Sequence, residues 1–168
     1  MRTRRVLPLT AAALALCASS LGGTAWADPP VGATGFFQQL APPTQVSAEL
    51  RGRTTHSYLT DHSIAQGEEL RSPSGTANPT EYWCISVEGK NTIRCRGEGT
   101  AALTVAGVGT GQAVARLTFS CTLDPFHCSG RIQIRGTNGE LAGVHAIGTF
   151  DNTGRPGQSS YSLKLHRH

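Results

Sequence analysis

The stretch Gln112-Ala-Val-Ala-Arg-Leu-Thr-Phe-Ser-Cys121, followed after six residues by Cys128-Ser-Gly-Arg-Ile-Gln-Ile-Arg135, decides the fold class. Apolar and polar residues alternate along both segments, as they do in β-strands that bury one face. Pairing Cys121 with Cys128 keeps both cysteines and the large apolar residues on that face. The register then sets Phe119 opposite Gly130, Leu117 opposite Ile132 and Ala115 opposite Ile134. We predict an antiparallel hairpin held by a disulfide, with Thr122–His127 as the loop that it closes.

The cysteine count supports a second bridge. Of the five cysteines, Cys17 falls in an apolar leader, which leaves an even set for two disulfides. A hairpin over Glu81–Arg96, turning at Glu88-Gly-Lys-Asn91 as type II′, places Cys84 opposite Cys95. A four-cysteine zinc site would want C-x₂-C spacing, which is missing. Four cysteines allow three connectivities, and the two hairpins favour Cys84–Cys95 and Cys121–Cys128.

The first 27 residues are typical of a secretory leader. A basic start with Arg2, Arg4 and Arg5 precedes an apolar run, and Ala25-Trp-Ala27 supplies small residues before a cleavage point at Asp28. A lipid-anchored alternative would use Cys17, but Leu16 is larger than the residue such a site prefers. We expect a secreted protein, and the alanine-, arginine- and glycine-rich leader is typical of a high-GC bacterium.

Charge excludes one class of partner. Without the leader, 141 of the 168 residues remain, with 12 Lys and Arg against 11 Asp and Glu. The apparent basic balance of +4 therefore falls to +1, and no Lys/Arg stripe is visible. We expect no nucleic-acid partner, no membrane contact after leader removal, and no cofactor.

The remaining chain predicts further strands. Residues 28–44 are rich in proline and glycine and predict an extended arm, with Phe36-Phe37 pinning it to the barrel surface or plugging a cavity mouth. Gln45–Leu59 predicts extended strand structure, with Val46, Ala48 and Leu50 on one face and a bulge at Gly52. Residues 60–80 predict a long polar loop with a short helical turn at 64–70.

Three further segments complete the pattern. Thr100–Ala106 predicts a strand, and Asn138-Gly139 predicts a type I′ turn. The segment after it puts Val144, Ala146 and Phe150 on one face. Ser159–His166 predicts a last strand. Short strands separated by glycine turns, without a long amphipathic helix, predict an all-β antiparallel barrel of about eight strands over residues 45–168.

The segment Arg131-Ile-Gln-Ile-Arg-Gly-Thr-Asn-Gly-Glu-Leu-Ala-Gly-Val-His-Ala-Ile-Gly-Thr-Phe150 resembles the glycine-rich signature of the allene oxide cyclase-like barrels. That superfamily also includes the dirigent proteins. The resemblance implies a closed antiparallel barrel of about eight strands. Plant members guide cyclisation or radical coupling in the barrel cavity, but the cyclases' catalytic residues match no position here, so only the fold carries over.

Few residues predict chemistry. The glycines at 136–148 precede no helix that would face a phosphate, which favours a turn scaffold. His145 is predicted to point into or across the barrel, where it would bind a polar group or move a proton, with the solvated outer face as the alternative. Glu140 and Tyr58 are the other predicted ligand-binding residues.

The histidines around Tyr58 form a second predicted group. His56 and His62 flank Tyr58 and Asp61, residue types that a metal or acid/base cluster uses, but the spacing of a preformed metal site is missing. Exposed histidines are the preferred interpretation. No catalytic residue and no metal site is predicted, and the G-x-S-x-G elbow of hydrolases does not occur.

Three functions remain open. The first is non-catalytic binding of a small apolar ligand or an extracellular partner. The second is an enzyme of the cyclase or dirigent kind that steers a reactive intermediate in the cavity. The third is an interaction or inhibitor module presenting Thr122–His127. An open cavity of a few hundred Å³ would favour the first two, and a filled barrel would leave the third.

Overall fold

The computed structural model describes residues 29–167, a range that contains ten β-strands and no helix. The strands are β1 (Val31–Gln39), β2 (Thr44–Arg51), β3 (Thr54–Gly67), β4 (Leu70–Arg71), β5 (Asn78–Val87), β6 (Thr92–Val105), β7 (Gly109–Leu123), β8 (Phe126–Gly139), β9 (Val144–Asn152) and β10 (Gln158–Arg167). The leader predicted over residues 1–27, with Cys17, lies outside the described residues.

The strands close into a ring. Neighbours are antiparallel throughout, and the pairing runs β3–β5–β6–β7–β8–β9–β10–β1 and returns to β3. Closure of this kind satisfies the backbone groups that an open sheet would leave at its edges. The predicted all-β fold with a barrel of about eight strands is therefore confirmed.

The chain before residue 45 differs from its prediction. Val31–Gln39 is not an arm: it is barrel strand β1, paired with β10 on one side and with β3 on the other. Its glycines misled the prediction because glycine weakens strands in general. Gly35 is required here, since a Cβ at this position would collide with the Gln66 backbone and the Tyr161 ring.

Strand β3 serves two neighbours along one edge. Its first half, Thr54–Thr60, pairs with β2, and its second half, Ser63–Gly67, pairs with β1. β2 ends the strand order, and every residue in it is exposed. Because β2 has a strand neighbour on one side only, its predicted apolar face is not buried, and a register shift lies between Gln45 and Ser47. Gly52 lies in the β2–β3 turn with φ of 62° and is not a bulge.

The predicted loop over residues 60–80 is mostly strand. β3 continues to Gly67 and β4 follows at Leu70–Arg71, so the helical turn at 64–70 is wrong. Polarity misled the prediction, because β3 turns polar residues toward the barrel interior. Within this segment, only residues 68–69 and 72–77 leave the sheet.

Both hairpin registers are confirmed. Cys121 pairs with Cys128, Phe119 with Gly130, Leu117 with Ile132 and Ala115 with Ile134. Cys84 pairs with Cys95, and both disulfides are formed. The loop predicted at Thr122–His127 narrows to a turn at 124–125, because the strands pair up to Leu123 and Phe126.

Two predicted turn types are wrong. In the β5–β6 turn the Lys90 amide donates to the Val87 carbonyl, which puts Gly89 at the second central position rather than the first. Type I′ needs positive φ at both central residues, but among the described residues only glycines have it, so Asn138 does not. β8 instead runs to Gly139, and the chain reverses over residues 140–143.

One end of the barrel is filled by side chains. Leu70, Leu103 and Leu141 are fully buried there, beside Val105 and Leu165. The Tyr161 hydroxyl donates to the Leu70 carbonyl at 2.6 Å, which ties β10 to β4 across the core. The two disulfides lie toward the opposite end, where the interior is hollow.

Candidate functional site

The hollow half of the barrel holds a cavity of about 500 Å³. Its walls come from inward positions on most of the barrel strands, and both disulfides line it. The volume lies within the range of small-molecule sites. A cavity of this size is what the two ligand-based functions require.

Small inward residues create the space. β6 presents Gly97, Gly99 and Ala101 to the interior, and β7 presents Ala115 opposite Gly99. A Cβ at Gly97 would lie 2.6 Å from the Tyr82 ring, so the glycine lets that ring lie against the sheet. The cavity thus follows from residue size along two neighbouring strands.

The wall formed by β7, β8 and β9 is apolar. Its members are Leu117, Phe119, Ile132, Ile134 and Phe150. The Phe119 and Phe150 rings meet edge to face, with centroids 5.6 Å apart and planes at 68°. Tyr82 contacts Phe119 from the opposite wall at 5.7 Å and 90°. These rings enclose a corner of the cavity rather than forming a parallel stack.

The wall formed by β3 and β5 is polar. Its polar side chains are Ser57, Asp61, Ser63, Asn78, Thr80, Tyr82 and Ser86, with Leu59 and Cys84 among them. Asp61 pairs with Thr80, and Tyr82 follows Thr80 by two residues, so it lies on the same face of the sheet. The carboxylate and the phenol therefore occupy neighbouring positions on one wall of the cavity. Burial raises the pKa of the Tyr82 phenol well above its usual range, and the charge of Asp61 adds to that effect.

Asp61 is the carboxylate of this cavity, and only 4% of the residue is exposed. One oxygen accepts from Gln39 Nε2 at 2.9 Å and the other from the His62 backbone amide at 2.6 Å. Burial raises the pKa of the carboxyl above its ordinary value, while these two hydrogen bonds act in the opposite direction. The uncharged form is therefore favoured more than it would be in water.

Asn78 holds the polar wall in place where β5 begins. Its amide donates to Ser72 Oγ at 2.8 Å, and its carbonyl oxygen accepts from the Ala102 amide at 3.0 Å. The side chain therefore joins β6 to the excursion over residues 72–77. The Asn78 side chain thus provides a hydrogen-bond partner for the backbone of β6 at Ala102, beyond the pairing of β5 with β6.

The mouth of the cavity is lined by the β7–β8 hairpin. Phe126 lines the cavity although 65% of it is exposed, and Leu123 beside it is 44% exposed. The Thr122 hydroxyl donates to the Pro125 carbonyl at 2.7 Å and tightens the turn. The segment predicted as a separate presentation loop is thus part of the cavity rim.

The predicted ligand-binding residues are not brought together. His145 lies on the outer face of β9, between Arg135 of β8 and His166 of β10, while its neighbours Val144 and Ala146 are buried. Strand alternation requires this, because successive side chains point to opposite faces. His145 does not line the cavity.

Glu140 and Tyr58 also lie outside the cavity. The Glu140 carboxylate accepts from the Thr110 amide at 2.8 Å, which fixes the turn after β8. Tyr58 of β3 stacks on Trp83 of β5, with ring centroids 5.6 Å apart. The guanidinium of Arg96 on β6 lies 5.6 Å from the centroid of the same Trp83 ring. This outer ladder stabilises the sheet by cross-strand packing.

The His56 and His62 cluster is dispersed in the same way. Both residues share the outer face of β3 with Tyr58, whereas Asp61 points inward. No group of three His, Cys, Asp or Glu side chains between residues 29 and 167 is arranged to hold a metal ion. In that same part of the chain, no helix is long and apolar enough to cross a bilayer.

Sequence reasoning missed Asp61 and Tyr82 as cavity residues. The signal was present in the alternation Ser57, Leu59, Asp61 and Ser63, but a polar inward face resembles a loop or a solvated face when the cavity is unknown. Comparison with protein-family models and with curated proteins gives no match.

Proposed function

We propose that the chain binds a small, largely apolar ligand inside the barrel. The observation that carries the proposal is the cavity of about 500 Å³ with an aromatic and aliphatic wall on β7, β8 and β9. Pockets of this size and character bury most of the surface of a drug-sized molecule. The polar wall opposite would orient that molecule.

We also propose that the protein works after export, in an oxidising compartment. Its two disulfides are compatible with such a compartment. The predicted leader over residues 1–27 points the same way.

The test is titration with the neutral apolar dye N-phenylnaphthylamine, followed by its fluorescence. Ala115→Phe would place a ring in the cavity from β7, and Val114→Phe places the same ring on the outer face one residue away. We expect saturable binding to wild type and to Val114→Phe. Binding to Ala115→Phe should be at least about tenfold weaker, because the ring occupies the ligand's volume.

Circular dichroism of each variant reports whether the fold is kept. Equal dye affinity in both phenylalanine variants would place the dye outside the cavity and contradict the proposal. The proposal would also be contradicted if folded wild type showed saturable binding neither of the dye nor of any compound in a panel of apolar molecules of similar size.

The second candidate is an enzyme that steers a reactive intermediate, as the resemblance to allene oxide cyclases and dirigent proteins implies. Asp61 and Tyr82 favour it, because they are ionisable groups inside the cavity and burial favours the protonated form of Asp61, which is the form that can act as a general acid. Chiral chromatography of a bound ligand's products, with and without protein, would separate the two functions. Catalysis predicts a changed product ratio that Asp61→Asn abolishes without loss of affinity.

A further inference from the structure

The cavity is lined by a carboxylate that has no cationic side chain beside it in the lining. Asp61 is its carboxylate, and its lining includes no lysine, arginine or histidine. The ion pairs found within residues 29–167 lie on the outer surface and leave Asp61 out. A buried carboxylate is costly unless a positive group or several hydrogen bonds compensate it.

The hydrogen bonds of Asp61 do not use its full capacity. Each carboxylate oxygen accepts one bond in the structure, from Gln39 Nε2 or from the His62 amide. An ionised carboxylate offers about four acceptor sites. The donors come from β1 and from the backbone of β3, so the remaining acceptor capacity is available to a group in the cavity that the carboxylate lines.

Three aromatic rings form a series of contacts across the cavity, from Tyr82 on the polar wall to Phe119 and Phe150 on the apolar wall. Tyr82 is close enough to Asp61 for the carboxylate charge to raise the pKa of its phenol. The Tyr82 ring contacts Phe119, which in turn contacts Phe150. Their planes meet at 90° and 68°, as the walls of a box do. Ring faces attract cations, and boxes of this kind bind ammonium groups in proteins.

We infer that the ligand is an amphipathic amine, with its ammonium group between Asp61 and the Tyr82–Phe119–Phe150 rings and its apolar body on the β7–β9 wall. The inference deepens the proposed function and rests on it. The carboxylate supplies the charge and the rings supply a polarisable surface, so two independent features select the same group. An alcohol would satisfy only the hydrogen bond, and an anion would be repelled.

The test compares three compounds that share an indole body: tryptamine, tryptophol and indoleacetate. Isothermal calorimetry at neutral pH measures each affinity for the full chain with its disulfides intact. We expect tryptamine to bind at least about tenfold more tightly than tryptophol, because a charge-assisted hydrogen bond is about twice as strong as a neutral one. Indoleacetate should bind more weakly than either.

Two variants test the two halves of the site. Asp61→Asn should reduce the affinity for tryptamine to about that of tryptophol, and leave tryptophol nearly unchanged. Phe119→Leu should weaken tryptamine more than tryptophol, because it removes a ring face but keeps an apolar side chain. Glu98→Gln neutralises an exposed carboxylate on the outer face of β6 and should alter neither affinity.

The outcomes separate this inference from the proposed function. If all three compounds bind equally, or if Asp61→Asn weakens tryptamine and tryptophol alike, the inference is wrong and the apolar cavity site survives. If none of the three binds and the apolar dye does not bind either, the proposed function fails first. Retained tryptophol binding also shows that the Asp61→Asn variant has folded.

Discussion

Asp61 illustrates how strand alternation assigns roles to adjacent residues. His62 and Asp61 are neighbours in sequence, yet the carboxylate lines the cavity and the imidazole lies on the outer face. The sequence pattern grouped them as one cluster, because spacing alone does not show which face a strand buries. The strand thus separates a residue that lines the cavity from one that lies on the outer face.

Burial of this carboxyl has a consequence for stability. A pKa raised by folding means that the folded state holds the proton more tightly than the unfolded state does. The stabilisation is therefore complete below the ordinary pKa of 3.8 and is lost as the pH rises through the folded-state value. Urea unfolding of wild type and Asp61→Asn between pH 3.5 and 8, roughly the range over which the linkage acts, should show wild type losing stability relative to the variant.

The charged neighbour must be controlled. His62 follows Asp61 directly and Tyr82 faces it from β5, but the phenol stays neutral over this range because burial raises its pKa. Repeating the comparison in a His62→Gln background removes the imidazole charge. Parallel stability curves for the aspartate and asparagine proteins would show that folding does not perturb the carboxyl.

Gly97 gives a second prediction at this scale. Gly97→Ala puts a methyl group 2.6 Å from the Tyr82 ring and forces that ring into the cavity. We expect a loss of about 1–3 kcal/mol in the free energy of unfolding, as overpacked cores usually show. Gly32→Ala is the matched control, since nothing lies within 4 Å of its Cβ. Equal effects of the two substitutions would contradict the close approach.

At the scale of the element, the disulfide hairpins brace the hollow end of the barrel. Cys121–Cys128 and Cys84–Cys95 join strands whose inward faces line the cavity. Packing contributes less there than at the filled end, so the covalent links carry more of the stability.

Replacing both cysteines of one bridge by alanine measures that contribution. With separations of 7 and 11 residues, the chain-entropy model gives about 2.5 kcal/mol for Cys121–Cys128 and about 2.8 kcal/mol for Cys84–Cys95. Urea unfolding of each double variant should show losses close to these values. A loss below about 1 kcal/mol would show that strand pairing alone holds the hairpin closed.

The elements that could be predicted from sequence are those with one apolar and one polar face. β7, β8 and the inward side of β9 have that pattern, and their faces and the β7–β8 register were right. β1 could not be recognised, because its Gly35 allows a close approach of neighbouring atoms and is not the sign of a linker. The second half of β3 could not be recognised, because its inward residues are polar and line a cavity. The site shares the same difficulty: its key carboxylate lies in the segment predicted as a loop.

At the scale of the whole molecule, the barrel is divided into a packed half and a hollow half. Leu70, Leu103 and Leu141 fill one, and the cavity of about 500 Å³ occupies the other. The hollow half leaves space that side chains could otherwise fill. The stability of the barrel is therefore expected to be below what the same fold could reach.

Ala115→Phe should reveal this compromise. Filling the cavity should raise the free energy of unfolding by about 0.5–2 kcal/mol in the same variant that loses dye binding. Val114→Phe, on the outer face, should stay within about 0.5 kcal/mol of wild type. Urea denaturation of the ligand-free proteins makes the comparison. Destabilisation by Ala115→Phe would mean that the interior is too tightly packed to accept a ring.

The pairing of β1 with β10 has a consequence for the order of folding. Val31 pairs with Leu165, so the barrel can close only when nearly all of the described chain is present. The β5–β8 meander can form earlier from local hairpins, whereas the final seam is a long-range contact with a high cost in loop closure. During gradual release from a ribosome or a translocation channel, the emerging chain would therefore form an open sheet. That sheet would keep two unpaired edges until the last strand emerges.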